Sequence, residues 1–95
     1  MPAAFDQTVS VPTGAANTVV KARAGRLRNV LVTTAGTGAG QVNFYDNATT
    51  NSGTIVGAIP ATVSIGTWYT FQMPVGAGIV CANVANGPVL TVSFD

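Results

Sequence analysis

Short runs of apolar and polar residues, separated by glycine and proline, recur along the whole chain. The runs are rich in Val, Thr, Ile and aromatic residues, and turn signals interrupt them at intervals of roughly ten residues. No segment carries the 3.6-residue apolar stripe of a helix over three turns. The pattern predicts an all-β fold of about eight short strands. We expect them over residues 8–11, 17–24, 27–34, 41–46, 54–59, 67–73, 79–84 and 88–94.

Three of the connections resemble those of β-hairpins. Ala24-Gly25-Arg26 is typical of a tight turn in which Gly25 takes a positive φ, and Asn86-Gly87 is a strong hairpin signal. Pro88 cannot donate to a ladder, so the last strand begins there or lies at an edge. The long loops at 35–40 and 46–53 allow the chain to cross between sheets. These features predict an antiparallel two-sheet sandwich, and a jelly roll is one form that fits.

The alternation within each run predicts which side chains fill the core. Leu27, Val30 and Val32 depart from strict alternation, which predicts a β-bulge near Arg28 and Asn29. The predicted core is Val9, Val11, Val19, Leu27, Val30, Val32, Val42, Phe44, Ile55, Ile59, Phe71, Ile79, Val89, Leu90, Val92 and Phe94.

Charged residues are scarce, and this changes the functional picture. They make up 7% of the chain, against about 25% in an average soluble protein. The sequence has no His, no Glu, one Lys and one Cys. It therefore lacks most groups that catalyse proton transfer or nucleophilic attack. We predict that the protein is not an enzyme and needs no cofactor or metal.

Small size adds a reason to expect association. Ninety-five residues form one domain, predicted over 8–95 after a flexible N-terminal arm at 1–7. Folding alone buries only about 63% of the surface of a chain this long. Cys81 has no second cysteine for an intramolecular disulfide. Neutral polar side chains are cheaper to desolvate than charges, so this surface suits contact with other proteins or with copies of itself.

Two polar segments invite other interpretations. Residues 46–51 are rich in oxygen ligands but do not match a calcium-binding loop, and an Asx-turn at Asp46 and Asn47 is favoured. Residues 21–28 hold all four basic side chains, yet a nucleic-acid site normally needs a larger basic patch. No signal peptide or membrane-spanning run occurs, so we expect synthesis in a cytoplasm without classical export and no contact with membranes.

The aromatic cluster of Trp68, Tyr69 and Phe71 is a candidate binding surface. Trp68 and Tyr69 face opposite sides of a strand, so one can be exposed while the other fills the core. Aromatic side chains are enriched at protein interfaces. The exposed one is therefore a candidate anchor for a partner or a platform for stacking a sugar, and core filling explains the cluster equally well.

Several short motifs resemble those of small β-sandwich virion proteins of tailed bacteriophages. They are Gly25-Arg26-Leu27, then an aliphatic strand at 30–32, the segment 42–47 with its Tyr-Asp, and Ser52-Gly53-Thr54. The resemblance covers roughly residues 17–60. It implies a capsid decoration (cement) protein or another head or fibre component, often trimeric.

The combined expectation is a virion protein on the outer face of a phage head. It would bind the major capsid protein and copies of itself, as a homotrimer, and would bind no nucleic acid, membrane or small-molecule substrate. The alternative is a receptor- or glycan-binding module of a fibre or tail. The candidate partner-binding residues are Trp68, Tyr69, Phe5, Arg26 and Arg28.

Overall fold

The chain folds into two packed antiparallel sheets. A computed structural model describes residues 7–95, which contain eight β-strands and no helix. Residues 1–6 lie outside the described residues, and with them Phe5 and most of the predicted arm; Gln7 already belongs to the first strand. The strands are β1 (Gln7–Val11), β2 (Thr18–Lys21), β3 (Gly25–Thr34), β4 (Gln41–Asp46), β5 (Thr54–Pro60), β6 (Trp68–Val75), β7 (Ile79–Ala82) and β8 (Val89–Phe94).

The strand order is that of a jelly roll. Sheet I has the order β1-β8-β3-β6 and sheet II the order β2-β7-β4-β5. Among residues 7–95, β4 and β5 are the only consecutive strands that pair, and every other connection crosses from one sheet to the other. Eight strands wound this way form a double-sheet jelly roll. The predicted two-sheet sandwich is therefore confirmed.

The predicted hairpin at Gly25 is wrong. β2 pairs with β7 in sheet II, whereas β3 pairs with β6 and β8 in sheet I. Gly25 is the first residue of β3 and is not among the glycines with positive φ. A Cβ at this position would lie 2.1 Å from the main-chain oxygen of Asp95. The glycine is needed because β3 approaches the backbone of the last residue closely, and not because the chain reverses there.

The Asn86-Gly87 signal predicts the turn correctly but not the strands that it joins. Asn86 has a φ of 60°, and the Gly87 amide donates to the Val84 carbonyl oxygen at 3.0 Å. The turn leads from β7 in sheet II to β8 in sheet I, so no hairpin forms. Turn chemistry fixes a local reversal, whereas the pairing of the strands depends on the packing of the whole sandwich.

Most of the predicted core is confirmed, and the errors occur next to irregular pairing. Val19 and Ile55 are exposed, and their neighbours Val20 and Val56 are buried instead. In the β2–β7 pair, the register shifts between Val19 and Lys21. In the β4–β5 pair, it shifts at Val56, which is the extra residue of β5. An extra residue in one strand turns the side chains beyond it to the opposite face of the sheet. Simple alternation therefore no longer predicts which side chains are buried there.

Other positions agree more closely with the prediction. The bulge lies between Leu27 and Asn29, as predicted. Val9 and Phe71 are half-buried against the core, and Val89 is half-buried as well. The buried cluster is Val11, Val20, Leu27, Val30, Val32, Val42, Phe44, Val56, Ile59, Val63, Val75, Ile79, Cys81, Leu90, Val92 and Phe94.

Candidate functional site

The outer face of sheet I is an open surface without formal charge over its central rows. Strand register places Ser10, Thr91, Leu31 and Trp68 in one row across all four strands. The neighbouring row consists of Thr8, Ser93, Asn29 and Thr70. None of these eight side chains is fully buried. We call this surface, made of these two rows, the Trp68 face.

Trp68 and Tyr69 have different environments. Trp68 is 58% exposed at the end of its row, beside the half-buried Leu31. Tyr69 packs against the core, and its ring stacks on that of Phe71 with centroids 6.1 Å apart. Phe71 in turn contacts Phe44, with centroids 6.0 Å apart. As predicted, one aromatic is exposed and the other helps to fill the core, so Trp68 is the one available to a partner.

The outer face of sheet II differs because a loop of the same chain covers part of it. Its central row is apolar and consists of Val19, Val80, Tyr45 and Ile55. Val80 lies between the inward-facing Ile79 and Cys81, yet it is fully buried. The loop of residues 47–53 is bonded to Gly78 at its start and to residues 16 and 17, beside β2, further along, so it reaches across β7.

Hydrogen bonds hold this loop across the sheet. The Asn17 side chain donates to the Thr49 carbonyl oxygen at 3.0 Å, and the Asn51 side chain donates to the Ala16 carbonyl oxygen at 2.9 Å. The Asn47 side-chain oxygen accepts from the Thr49 and Thr50 amides, both at 3.0 Å. The predicted Asx-turn is therefore present at Asn47.

Asp46, by contrast, does not bond its own loop. Its carboxylate accepts hydrogen bonds from the amides of Gly76, Ala77 and Gly78 at 3.1, 2.8 and 3.4 Å. The amides of Ala77 and Gly76 lower the pKa of Asp46 from its ordinary value of 3.8, because they stabilise the charged form. The carboxylate thus ties the end of β4 to the β6–β7 turn, and its hydrogen-bonding capacity is largely used within the fold.

Asn83 has a structural role that the sequence pattern did not indicate. Among residues 7–95, Asn83 is the one polar residue that is buried. Its amide nitrogen donates to the carbonyl oxygens of Pro12 at 3.0 Å and Pro88 at 2.7 Å, and its oxygen accepts from the Val84 amide at 2.8 Å. Asn83 therefore bonds the loop between β1 and β2 to the loop between β7 and β8. A lone Asn before a turn carries no signal that distinguishes this role from a solvated one.

The candidate partner residues do not converge on one place. Arg26 is exposed and pairs across the sheet with Pro74, near the far end of β6 from Trp68. At roughly 3.3 Å per residue, that end is about 20 Å away. Arg28 is half-buried and forms a salt bridge with Asp95 at 2.8 Å. The structure thus separates an aromatic, uncharged face from a basic end, and Phe5 lies outside the described residues.

Reactive chemistry is sparse in the described part of the chain. Burial raises the pKa of the Cys81 thiol to about 12, which keeps it protonated near neutral pH. Within residues 7–95, no three His, Cys, Asp or Glu side chains come together as a set of metal ligands. No helix in this range is long and apolar enough to span a membrane.

Comparisons with protein-family models, curated proteins and solved structures found no match for this chain. Homology therefore assigns no family and no function.

Proposed function

We propose that this protein is a non-catalytic structural subunit of a phage virion. In this proposal it is a decoration protein that assembles as a homotrimer on the outer face of the head and stabilises the lattice of major capsid protein. The observation that carries the proposal is the Trp68 face, an open sheet surface with no charge in its two rows and a Trp at its margin. This face would contact the next copy of the chain.

The dimensions of the molecule suit such a contact. The described fold measures 40 × 27 × 16 Å, so each broad face is large enough for the roughly 800 Å² per partner of a standard interface. Ser, Thr and Asn side chains can be desolvated at lower cost than charged ones, and they can bond across an interface. Trp68 supplies the aromatic anchor that often dominates binding energy.

The contrast between the two outer faces favours sheet I as the intermolecular one. On sheet II, the loop of residues 47–53 is bonded across β7, and Val80 is fully buried. On the Trp68 face, every side chain stays at least partly exposed. An uncharged face that residues 7–95 leave open is the surface on which a neighbouring copy would gain most by packing.

The jelly roll is compatible with this role but does not select it. Viral capsid domains, lectins and cupins all use jelly rolls, and function must be argued from the site. The resemblance of residues 17–60 to small phage virion proteins points to the capsid among these. The absence of His and Glu from the sequence favours a non-catalytic role.

Co-sedimentation with phage heads tests the proposal. The protein is expected to bind assembled heads saturably and to raise their melting temperature by mass action, while unassembled capsid protein binds it weakly. Thr91→Lys places a charge in the centre of the Trp68 face and should abolish trimer formation and weaken head binding. Asn43→Lys, on the outer face of sheet II, is the matched control and should bind as the unmodified protein does. A monomeric protein without affinity for heads or capsid protein would refute the proposal.

A second candidate function depends on the exposure of Trp68 alone. An exposed indole with Thr70 two residues further along the same strand and Thr91 two strands away could stack a sugar ring while these hydroxyl groups bond it. A glycan array would show saturable binding that Trp68→Ala abolishes, whereas Asn43→Lys, on the outer face of sheet II, would leave the binding intact. The absence of any glycan hit that depends on Trp68 would eliminate this function.

A further inference from the structure

A cavity at the basic end of the sandwich is a separate candidate site. It has a volume of about 430 Å³ and opens between the end of β2 in sheet II and the ends of β1 and β8 in sheet I. Its lining consists of Gln7, Val20, Lys21, Ala22, Arg23 and Phe94. We call it the basic cavity. It does not include any residue of the Trp68 face.

The lining combines apolar surface with positive charge. Val20 and Phe94 belong to the buried core and form the floor of the cavity, where they are 6% and 4% exposed, and the exposed Ala22 borders them. The Lys21 ammonium nitrogen lies 5.8 Å from the centroid of the Phe94 ring. Arg23 is exposed on the connection between β2 and β3. A ligand in the cavity would meet an apolar wall and two cations at the same time.

The described acidic side chains are engaged elsewhere. Asp46 is bonded to the amides of Gly76, Ala77 and Gly78, and Asp95 is paired with Arg28. Within residues 7–95, neither Lys21 nor Arg23 forms a salt bridge. The two cations are therefore available to an external anion.

We propose that the basic cavity binds an acidic residue next to an apolar one, in a segment of a protein partner. The carboxylate would lie between Lys21 and Arg23, and the neighbouring apolar side chain would pack on Val20 and Phe94. Two cations suffice for one carboxylate, whereas a phosphate backbone needs a longer basic surface. An apolar wall adds affinity only for a ligand with an apolar group. This site is independent of subunit contacts through the Trp68 face.

An NMR titration of the full chain with 3-phenylpropionate tests the proposal. This probe carries one carboxylate and one apolar ring. We expect saturable shifts of the amides of Gln7, Val20 and Arg23. Lys21→Gln and Arg23→Gln should each weaken binding about fivefold, the effect of a partly exposed ion pair. Arg26→Gln removes a nearby cation outside the cavity and should change the dissociation constant less than twofold.

Three further measurements separate the proposed ligand from other anions. Neutral 3-phenylpropanol and acetate should each bind more weakly than 3-phenylpropionate, since each lacks one half of the recognised group. Inorganic phosphate should bind no better than acetate. Shifts elsewhere in the protein, equal binding of 3-phenylpropanol, stronger binding of phosphate, or unchanged affinity in both Gln variants would overturn the proposal. Because Arg23 is exposed, its variant tests the charge without disturbing the core.

Discussion

Asn83→Ala is expected to destabilise the fold strongly, although the side chain is small and neutral. The substitution removes three hydrogen bonds, to the Pro12 and Pro88 carbonyl oxygens and from the Val84 amide. At about 1 kcal/mol each, their loss costs about 3 kcal/mol, and a buried carbonyl left unpaired raises that cost. A domain of this length has a total stability of roughly 5–14 kcal/mol. The variant should therefore lose a large fraction of its stability.

Urea unfolding followed by far-UV circular dichroism measures this loss, at one fixed protein concentration because association also affects stability. In thermal unfolding, the melting temperature should fall by roughly 12–24 °C. Asn43→Ala is the matched control, because among residues 7–95 the Asn43 side chain bonds only the side chains of Gln41 and Tyr45, on the outer face of sheet II. It should change stability by less than about 0.5 kcal/mol. Equal losses in the two variants would refute the assigned role of Asn83.

Three other predictions test the packing and the electrostatics. Val20→Ala should lower the free energy of unfolding in urea by about 2 kcal/mol, because it opens space in the core. Val19→Ala should lower it by less than about 0.5 kcal/mol, because Val19 is exposed. A larger loss for Val19→Ala would contradict the inward orientation of Val20 and the outward orientation of Val19. Because the folded-state pKa of Asp46 is lowered, its stabilisation is full above the ordinary value of 3.8 and is lost as the pH falls through the lowered value. Asp46→Asn should therefore cost about 1 kcal/mol at pH 7, and its deficit relative to the unmodified protein should shrink below pH 3.8; a deficit that does not depend on pH would refute the carboxylate's role. Cys81 should react with a thiol reagent at pH 8 only as fast as the protein unfolds, and immediate labelling of the folded protein would contradict its burial.

The sequence predicts local features of this fold better than long-range ones. Strand positions, the bulge at Arg28 and most core residues follow from alternation and turn signals, which act over a few residues. Asn86 shows the limit, since it marks a turn but does not specify the partner strand. Gly25 shows it too, because this glycine is required by the close approach of the Asp95 backbone and not by a turn. Pairing in a jelly roll is non-local, and β1 with β8 is the extreme case.

The candidate site was predictable only in part, for the same reason. Alternation in one strand predicts that one of Trp68 and Tyr69 is exposed and the other buried, but only the packed structure shows that Trp68 is the exposed one. The remaining members of the Trp68 face come from β1, β3 and β8, so they become neighbours only through the sheet order. Likewise, the basic cavity needs Phe94 and Gln7 beside residues 20–23, a juxtaposition that no local pattern contains.

The oligomeric state of the purified protein tests the central claim most directly. Sedimentation velocity over about 1–100 µM should give the mass of a trimer for the unmodified protein and that of a monomer for Thr91→Lys, while Asn43→Lys remains trimeric. All three proteins should have the same circular dichroism spectrum, which shows that the fold is retained. A monomer of the unmodified protein across this range, or a trimer that persists in Thr91→Lys, would contradict assembly through the Trp68 face.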